Sequence, residues 1–371
     1  HKTIVLVTHA VGNLRLCDSV VLLHEGRLCF QGPYDELLRT HETDSIEGIY
    51  GGYQHASAMG EFVGFDEDRS GELPPPPDPH SLNTAPPPGS LSQLLTLVRR
   101  QNILIWRDKA QMWLHLALLV SFPGLVAIFA TNGLPQVRSM SLDIQTNAVQ
   151  SLADTVAYLK ESISAAALVS GLSMFQVILL ALMGANNGAR EIAKERDVLE
   201  KELRAGLSPW AYVTTKVLLL VALSLAQAFW MTWFVKTVCG FKGDFLSQFE
   251  VLFLTTLAMS VTCLAISSAA KSPERASLLA IYLVGLQLPL SGAVLALPEI
   301  VSTLCRPFIA AYWGWSGYLK TLSAYPLYDI VRQSTNTYIA DFNMCLLVLS
   351  LHAIICAVVA WIFVARSLNR R

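Results

Sequence analysis

Charged side chains are scarce in this chain. They form 15% of its 371 residues, against 53% hydrophobic, and the mean hydropathy is +0.45; a soluble domain carries about 25% charged residues. The shortage is local. Six stretches, 112–130, 165–185, 217–235, 251–270, 276–297 and 344–365, contain no Asp, Glu, Lys or Arg over 19 to 22 residues each. Each reaches the roughly 20 residues that a helix needs to cross ~30 Å of hydrocarbon. A purely soluble enzyme and a disordered chain are excluded, and a net charge of −1 excludes a nucleic-acid binder. The expected fold class is an α-helical polytopic membrane protein with six transmembrane helices, preceded by a small α/β segment.

Other absences narrow the function. Proton- and sodium-driven carriers usually hold their ion on an intramembrane carboxylate, and none of the six stretches offers one. No G-x-x-x-x-G-K-[ST] loop is present to cradle phosphates. The seven cysteines follow no metal-ligand spacing, and no repeat of 20–50 residues recurs. Cys239, Cys305 and Cys345 fall on or near one side of the expected membrane unit. The chain opens at His1 without an initiator Met or a signal-peptide pattern, so the natural start is expected upstream.

What is present falls into zones. Residues 1–65 read as compact soluble structure. Residues 66–90 form a linker that holds eight of the 17 prolines, each fixing φ and removing a backbone donor. Residues 91–110 form a connecting helix with Leu91, Leu94, Leu95 and Val98 at helical spacing, Ser90 as a candidate N-cap, and Arg99, Arg100 and Arg107 toward its end. Such a basic amphipathic helix suits the membrane surface, or equally a soluble domain. Residues 111–371 are the membrane domain.

Basic residues orient it. Segments 186–216, 271–275 and 366–371 hold eleven Lys and Arg in 42 residues; segments 131–164, 236–250 and 298–343 hold seven in 95. The positive-inside rule places the first set, and both termini, in the cytoplasm. The expected location is integral to the plasma (inner) membrane.

In the soluble start, Thr3–Val7 reads as a buried strand ending at Thr8-His9, and 18–23 and 28–31 as a hairpin around Glu25-Gly26. The run Lys2-Thr-Ile-Val-Leu-Val-Thr-His9, then Asp18-Ser-Val-Val-Leu-Leu-His-Glu-Gly26 and Phe30-Gln-Gly-Pro33, resembles the end of an ATP-binding-cassette nucleotide-binding domain. The resemblance implies that His9 is the switch histidine that senses the γ-phosphate. The family's signature motif and Walker B strand are not found. The chain alone is therefore expected neither to hold nor to hydrolyse ATP, and ATP with Mg²⁺ belongs to the complete transporter.

Between the second and third stretches runs Glu191-Ile-Ala-Lys-Glu195-Arg196, then Glu202, Gly206-Leu-Ser-Pro209, Tyr212 and Lys216. By charge spacing this reads as one amphipathic helix. The pattern is similar to the first intracellular loop of ABCG-type half-transporters and ABC type-2 permeases, which implies that Glu191, Glu195, Arg196 and Glu202 couple the membrane domain to the ATPase. Leu203 departs from the family, where an Arg usually follows the second Glu. Ser323-Ala-Tyr-Pro-Leu-Tyr328 resembles the family's re-entrant helices, and the segment 298–343 carries Tyr312, Trp313, Trp315 and Tyr318, residues that favour the headgroup zone. The segment 131–164 is longer than the family's norm.

The resemblance also implies a homodimer with a second copy of the chain. It puts Gln176 and Gln287 at the dimer axis, where they line a substrate cavity or simply hydrogen-bond between helices. The implied partners are the lipid bilayer, that second copy and an upstream nucleotide-binding domain, with no nucleic acid. The implied function is an ATP-driven exporter of amphipathic or lipid-like molecules. The rivals are an ion-coupled permease, a structural membrane protein, and a polysaccharide-exporting type-2 permease.

Overall fold

A computed structural model describes residues 5–7, 11–24, 27–40, 49, 88–130, 148–294, 297–335 and 337–367. The chain divides into two units, 1–85 and 86–371.

In the first unit a 3-10 turn, Val11–Leu16, leads to an antiparallel hairpin of β1 (Val20–His24) and β2 (Arg27–Gly32), with a bulge between Leu22 and Leu23. Successive strand side chains point to opposite faces. Val20 and Leu22 accordingly pack with Phe30 against Leu37 of α1 (Tyr34–Thr40) and against Ile49, while Val21 and Leu23 are exposed. The expected first strand is not found among the described residues: Val5, Leu6 and Val7 are irregular and exposed. A continuous apolar strand needs a neighbour on each side to satisfy its backbone, and the hairpin is the only sheet among the described residues.

The second unit is helical. Helix α2 (Ser90–Arg107) starts after Gly89, so Ser90 is its first residue and no side chain caps it. It turns Leu97 and Gln101 inward and leaves Leu91, Leu95 and Trp106 exposed. Then come α3 (Lys109–Ala130), α4 (Ala148–Gly188), α5 (Arg196–Arg204), α6 (Pro209–Cys239), α7 (Phe245–Ala269) and α8 (Pro273–Leu290). Three short helices, α9 (Glu299–Cys305), α10 (Ala310–Lys320) and α11 (Pro326–Ser334), precede α12 (Phe342–Ser367).

Among the described residues, five helices are long and apolar enough to cross a membrane: α3, α4, α6, α7 and α12. The sixth expected span, 276–297, is shorter than its apolar run. Helix α8 stops at Leu290, and Gly292 takes a left-handed φ of 73°. Its 18 residues extend about 27 Å. By contrast α4 runs for 41 residues, about 62 Å, so much of the long segment 131–164 is an extension of this helix rather than a loop.

Burial ranks the helices. The apolar windows of α4 and α7 are 67% buried, those of α3 and α12 17%. Helices apolar on every side yet so exposed fit a hydrocarbon solvent rather than water. At the far end α10 enters the core: Tyr312, Trp315 and Tyr318 are its largest fully buried side chains. These rings are core packing, not a headgroup belt. Their polar atoms are satisfied inside, since Trp315 Nε1 donates to Ser170 Oγ at 3.2 Å and the Tyr312 hydroxyl donates to the Tyr338 carbonyl at 2.9 Å.

Candidate functional site

The segment between α4 and α6 is not one amphipathic helix. Helix α4 ends at Gly188, a 3-10 turn spans Ala193–Glu195, and α5 follows; Gly206 then turns the chain at φ 99°, and Pro209 opens α6. Backbone N–H groups at the start of the 3-10 turn, which have no partner within it, find one on α7: Ile192 and Ala193 both donate to Ser267 Oγ, at 3.1 and 3.0 Å. Arg196 donates to the Ser268 carbonyl at 2.6 Å. Leu199 and Leu203 bury the inner face of α5. Leucine at 203 thus serves packing.

Lys216, in the second turn of α6, is the centre of the cluster. It is 2% exposed, and its ammonium lies 3.2 Å from Gln101 Oε1, 3.2 Å from Glu191 Oε2 and 3.1 Å from Glu195 Oε2. An ammonium has three donors, and here three oxygens from two segments meet them. Taking a charge out of water costs several kcal/mol unless pairing and hydrogen bonds repay it. The carboxylates are held from other sides too: Lys194 donates to Glu191 Oε1 at 2.6 Å, and the Tyr212 hydroxyl to Glu195 Oε2 at 3.2 Å. Burial works against the charge on Glu191, but Lys216 and Lys194 outweigh it and hold this loop carboxyl below its ordinary range.

Helix α2 is fastened to the same loop at two further points. Arg100 pairs with Glu202 of α5, and this hydrogen bond raises the guanidinium's affinity for its proton. The Gln93 amide spans the turn before α6, donating to the Gly206 carbonyl at 3.2 Å and accepting from the Ser208 N–H at 2.7 Å. The four residues expected from sequence therefore lie in one region with different partners. Glu191 and Glu195 share Lys216, Glu202 holds Arg100, and Arg196 holds the end of α7. Gln93 and Gln101 are partners that the sequence pattern had not singled out, while Arg100, one of the three arginines noted on this helix, pairs with a loop glutamate. His9 lies outside the described residues.

The polar residues within the helices mostly have structural partners. Gln227 and Asn187 exchange reciprocal amide hydrogen bonds at 2.9 and 3.3 Å, linking α6 to α4. Gln287 accepts from the Ala311 N–H at 3.0 Å at the start of α10. Gln176 is fully buried and its amide makes no hydrogen bond, with the Tyr318 hydroxyl the polar group beside it. Neither glutamine lines the cavity of about 50 Å³ that Ser291, Ser302, Arg306 and Thr337 border. Cys239, Cys305 and Cys345 are free thiols.

Gly184 and Gly188, a G-x-x-x-G pair on α4, lie against the α7 backbone so closely that a Cβ would stand 2.5 Å from the Thr256 carbonyl oxygen and 2.0 Å from that of Ser260. Small residues at this spacing let helix backbones meet in membranes. This contact fixes α4 on α7 beside the loop.

Comparison with known proteins agrees with this architecture. The sequence profile of the ABC-2 type transporter matches residues 92–318, and the chain belongs to that family. It is the membrane domain of an ABC transporter and is integral to the membrane. It is 25% identical over 337 residues to the ABC transporter ATP-binding/permease protein Rv1747 of Mycobacterium tuberculosis, covering 86% of this chain and 36% of that protein. It is 30% identical over 73 residues to the ABC-type transporter kk1G of Curvularia clavata, covering 20% of this chain and 5% of that one. The chain thus spans about a third of the length of the first relative and far less of the second.

Proposed function

We propose that this chain is the membrane part of an ATP-driven exporter and that the loop 189–208 carries the ATPase motion to the spans. The observation that supports this most is the Lys216 cluster. It knits the loop, α2 and α6 into one block, so a push on α5 reaches two helices at once. The ATP-binding/permease relative, which joins both activities in its name, supports an ATPase portion outside residues 1–371. ATP and Mg²⁺ are assigned to that portion, since this sequence has no phosphate-cradling loop, and His9 is assigned the sensing of the γ-phosphate there. A second copy of the chain completes the pathway; Gln176 and Gln287, both buried inside the single chain, pack behind its wall rather than on it. The distribution of basic residues supports cytoplasmic termini, and the plasma membrane is the proposed location.

Spans without charge favour an amphipathic or lipid-like substrate over an ion-coupled solute. The test is a reconstituted complete transporter with a fluorescent phospholipid analogue, its outward movement read by dithionite quenching. Movement should require ATP and stop with vanadate, and Lys216→Met should keep hydrolysis while losing movement. Movement driven by a proton or sodium gradient without ATP contradicts the proposal.

A further inference from the structure

Lys216 and Lys236 frame a run of α6 that carries no charge. They stand about 30 Å apart along the helix, the thickness of the hydrocarbon core. Lys216 lies at the loop 189–208, so Lys236 lies at the headgroup level of the opposite leaflet. From Lys236 back toward the loop, Trp233, Phe229 and Leu225 follow at three- and four-residue spacing and share one face of the helix. They are 44%, 51% and 39% exposed. Phe229 meets Phe245 and Phe249 of α7 edge-on, with ring centres 5.9 and 6.3 Å away, so this stripe runs beside the seam between the two helices. From Leu225 to Lys236 it is about 16 Å long, half of the ~30 Å core and hence one leaflet deep.

Two more cations gather at the same end. Lys236 donates to the Gly243 carbonyl, in the short turn between α6 and α7, and the exposed Lys242 precedes that glycine. A Cβ built on Gly243 would stand 3.3 Å from Leu322, two residues past Lys320 at the end of α10. The Lys242 ammonium lies 5.9 Å from the centre of the Tyr325 ring, and that of Lys320 lies 5.5 Å from the centre of Tyr328. A ring face attracts a cation but leaves its charge in place. Among the described residues none of the three lysines has a carboxylate within ion-pair distance; the four ion pairs all lie at the loop. Asp244, next in the turn, is taken up by capping α7, where it accepts from the Ser247 N–H and hydroxyl, both at 2.8 Å. The segments at this end are the ones poor in Lys and Arg, so three of them around one turn are not background. They call for an anion.

We propose that the seam of α6 and α7 and the turn above it bind an anionic glycerophospholipid of the leaflet opposite the loop. Its phosphate sits among Lys236, Lys242 and Lys320, and an acyl chain lies along Trp233, Phe229 and Leu225. A soluble phosphate would use the charge and leave the stripe uncovered. A lipid without net charge would cover the stripe and leave the lysines unneutralised. An anionic lipid answers both, and the stripe ends at the cations at the depth where such a lipid carries its headgroup. The site is independent of the exporter reading, because no part of it touches the loop.

Native mass spectrometry of the full chain in detergent tests it, with phosphatidylglycerol, phosphatidylcholine and free glycerol phosphate added in turn. The first molecule of phosphatidylglycerol should bind more tightly than phosphatidylcholine. Glycerol phosphate, lacking acyl chains, should not displace it at equal concentration. Lys242→Gln should weaken phosphatidylglycerol by about fivefold, the share of one lysine near an anionic surface, and adding Lys320→Gln should weaken it by about as much again. Phosphatidylcholine should bind these variants as it binds wild type. Lys271→Gln, at an exposed position between α7 and α8 at the loop end, should change neither lipid. If the double variant does not fold, Lys242→Gln decides alone, since that side chain is exposed. Equal affinity for the two lipids, an unchanged affinity for phosphatidylglycerol in Lys242→Gln, an equal loss in Lys271→Gln, or full displacement by glycerol phosphate overturns the proposal.

Discussion

Lys216 on α6 and Glu191 in the preceding loop meet at 3.2 Å, and the lysine is 2% exposed. Twenty-five residues apart, they close the loop onto the helix it leads into, and Gln101 ties in α2.

Removing one partner of a buried pair leaves the other uncompensated, a loss of about 3–5 kcal/mol. Lys216→Met should therefore lower the unfolding midpoint of the chain in detergent strongly. Adding Glu191→Gln and Glu195→Gln to it should recover part of the loss. Purely additive losses would show that the three side chains do not act as a unit.

The pH dependence has a definite sign. Glu191 titrates below its ordinary 4.5 when folded, so the unfolded chain takes up the proton first as pH falls. Its contribution is complete above the ordinary value and is lost as pH drops through the lower, folded one. Unfolding midpoints followed from about pH 6 downward should fall more steeply in wild type than in Glu191→Gln.

Gly188→Ala should destabilise by about 1–3 kcal/mol, because its Cβ would lie 2.0 Å from the Ser260 carbonyl oxygen. Gly171 on the same helix has nothing within 4 Å of a built Cβ. Gly171→Ala should be neutral or slightly stabilising, since alanine is the better helix former. Equal effects at both positions would contradict a close contact between α4 and α7 at Gly188.

The Asn187–Gln227 amide pair should show coupling of about 0.6–1.7 kcal/mol in a double-mutant cycle with leucine at each position, the range for hydrogen bonds between membrane helices.

The sequence carried the membrane class, because uncharged runs of this length have few other uses. It also carried the hairpin, whose alternation survives in Val20 and Leu22 against Val21 and Leu23. Three things were hidden for physical reasons. The aromatic residues 312–318 look the same to a composition argument whether they line a headgroup zone or fill a core; only Ser170, about 145 residues away, shows that Trp315 is inside. The break at Gly292 interrupts a run that hydropathy reads as continuous. The partners on α2 stayed hidden because Gln101 and Lys216 are 115 residues apart, beyond the reach of any local pattern. The acidic residues of the loop were legible individually, but not their division among three different partners.

In the proposed mechanism α2 and the loop move as one block. Spin labels at two exposed positions, Leu95 on α2 and Lys201 on α5, measure it by their separation in the complete transporter, with and without ATP and vanadate. One narrow distance that nucleotide leaves unchanged is expected, and a broadened one when Arg100→Ala and Glu202→Ala release the bridge. A distance that shifts with nucleotide in the intact protein would contradict it.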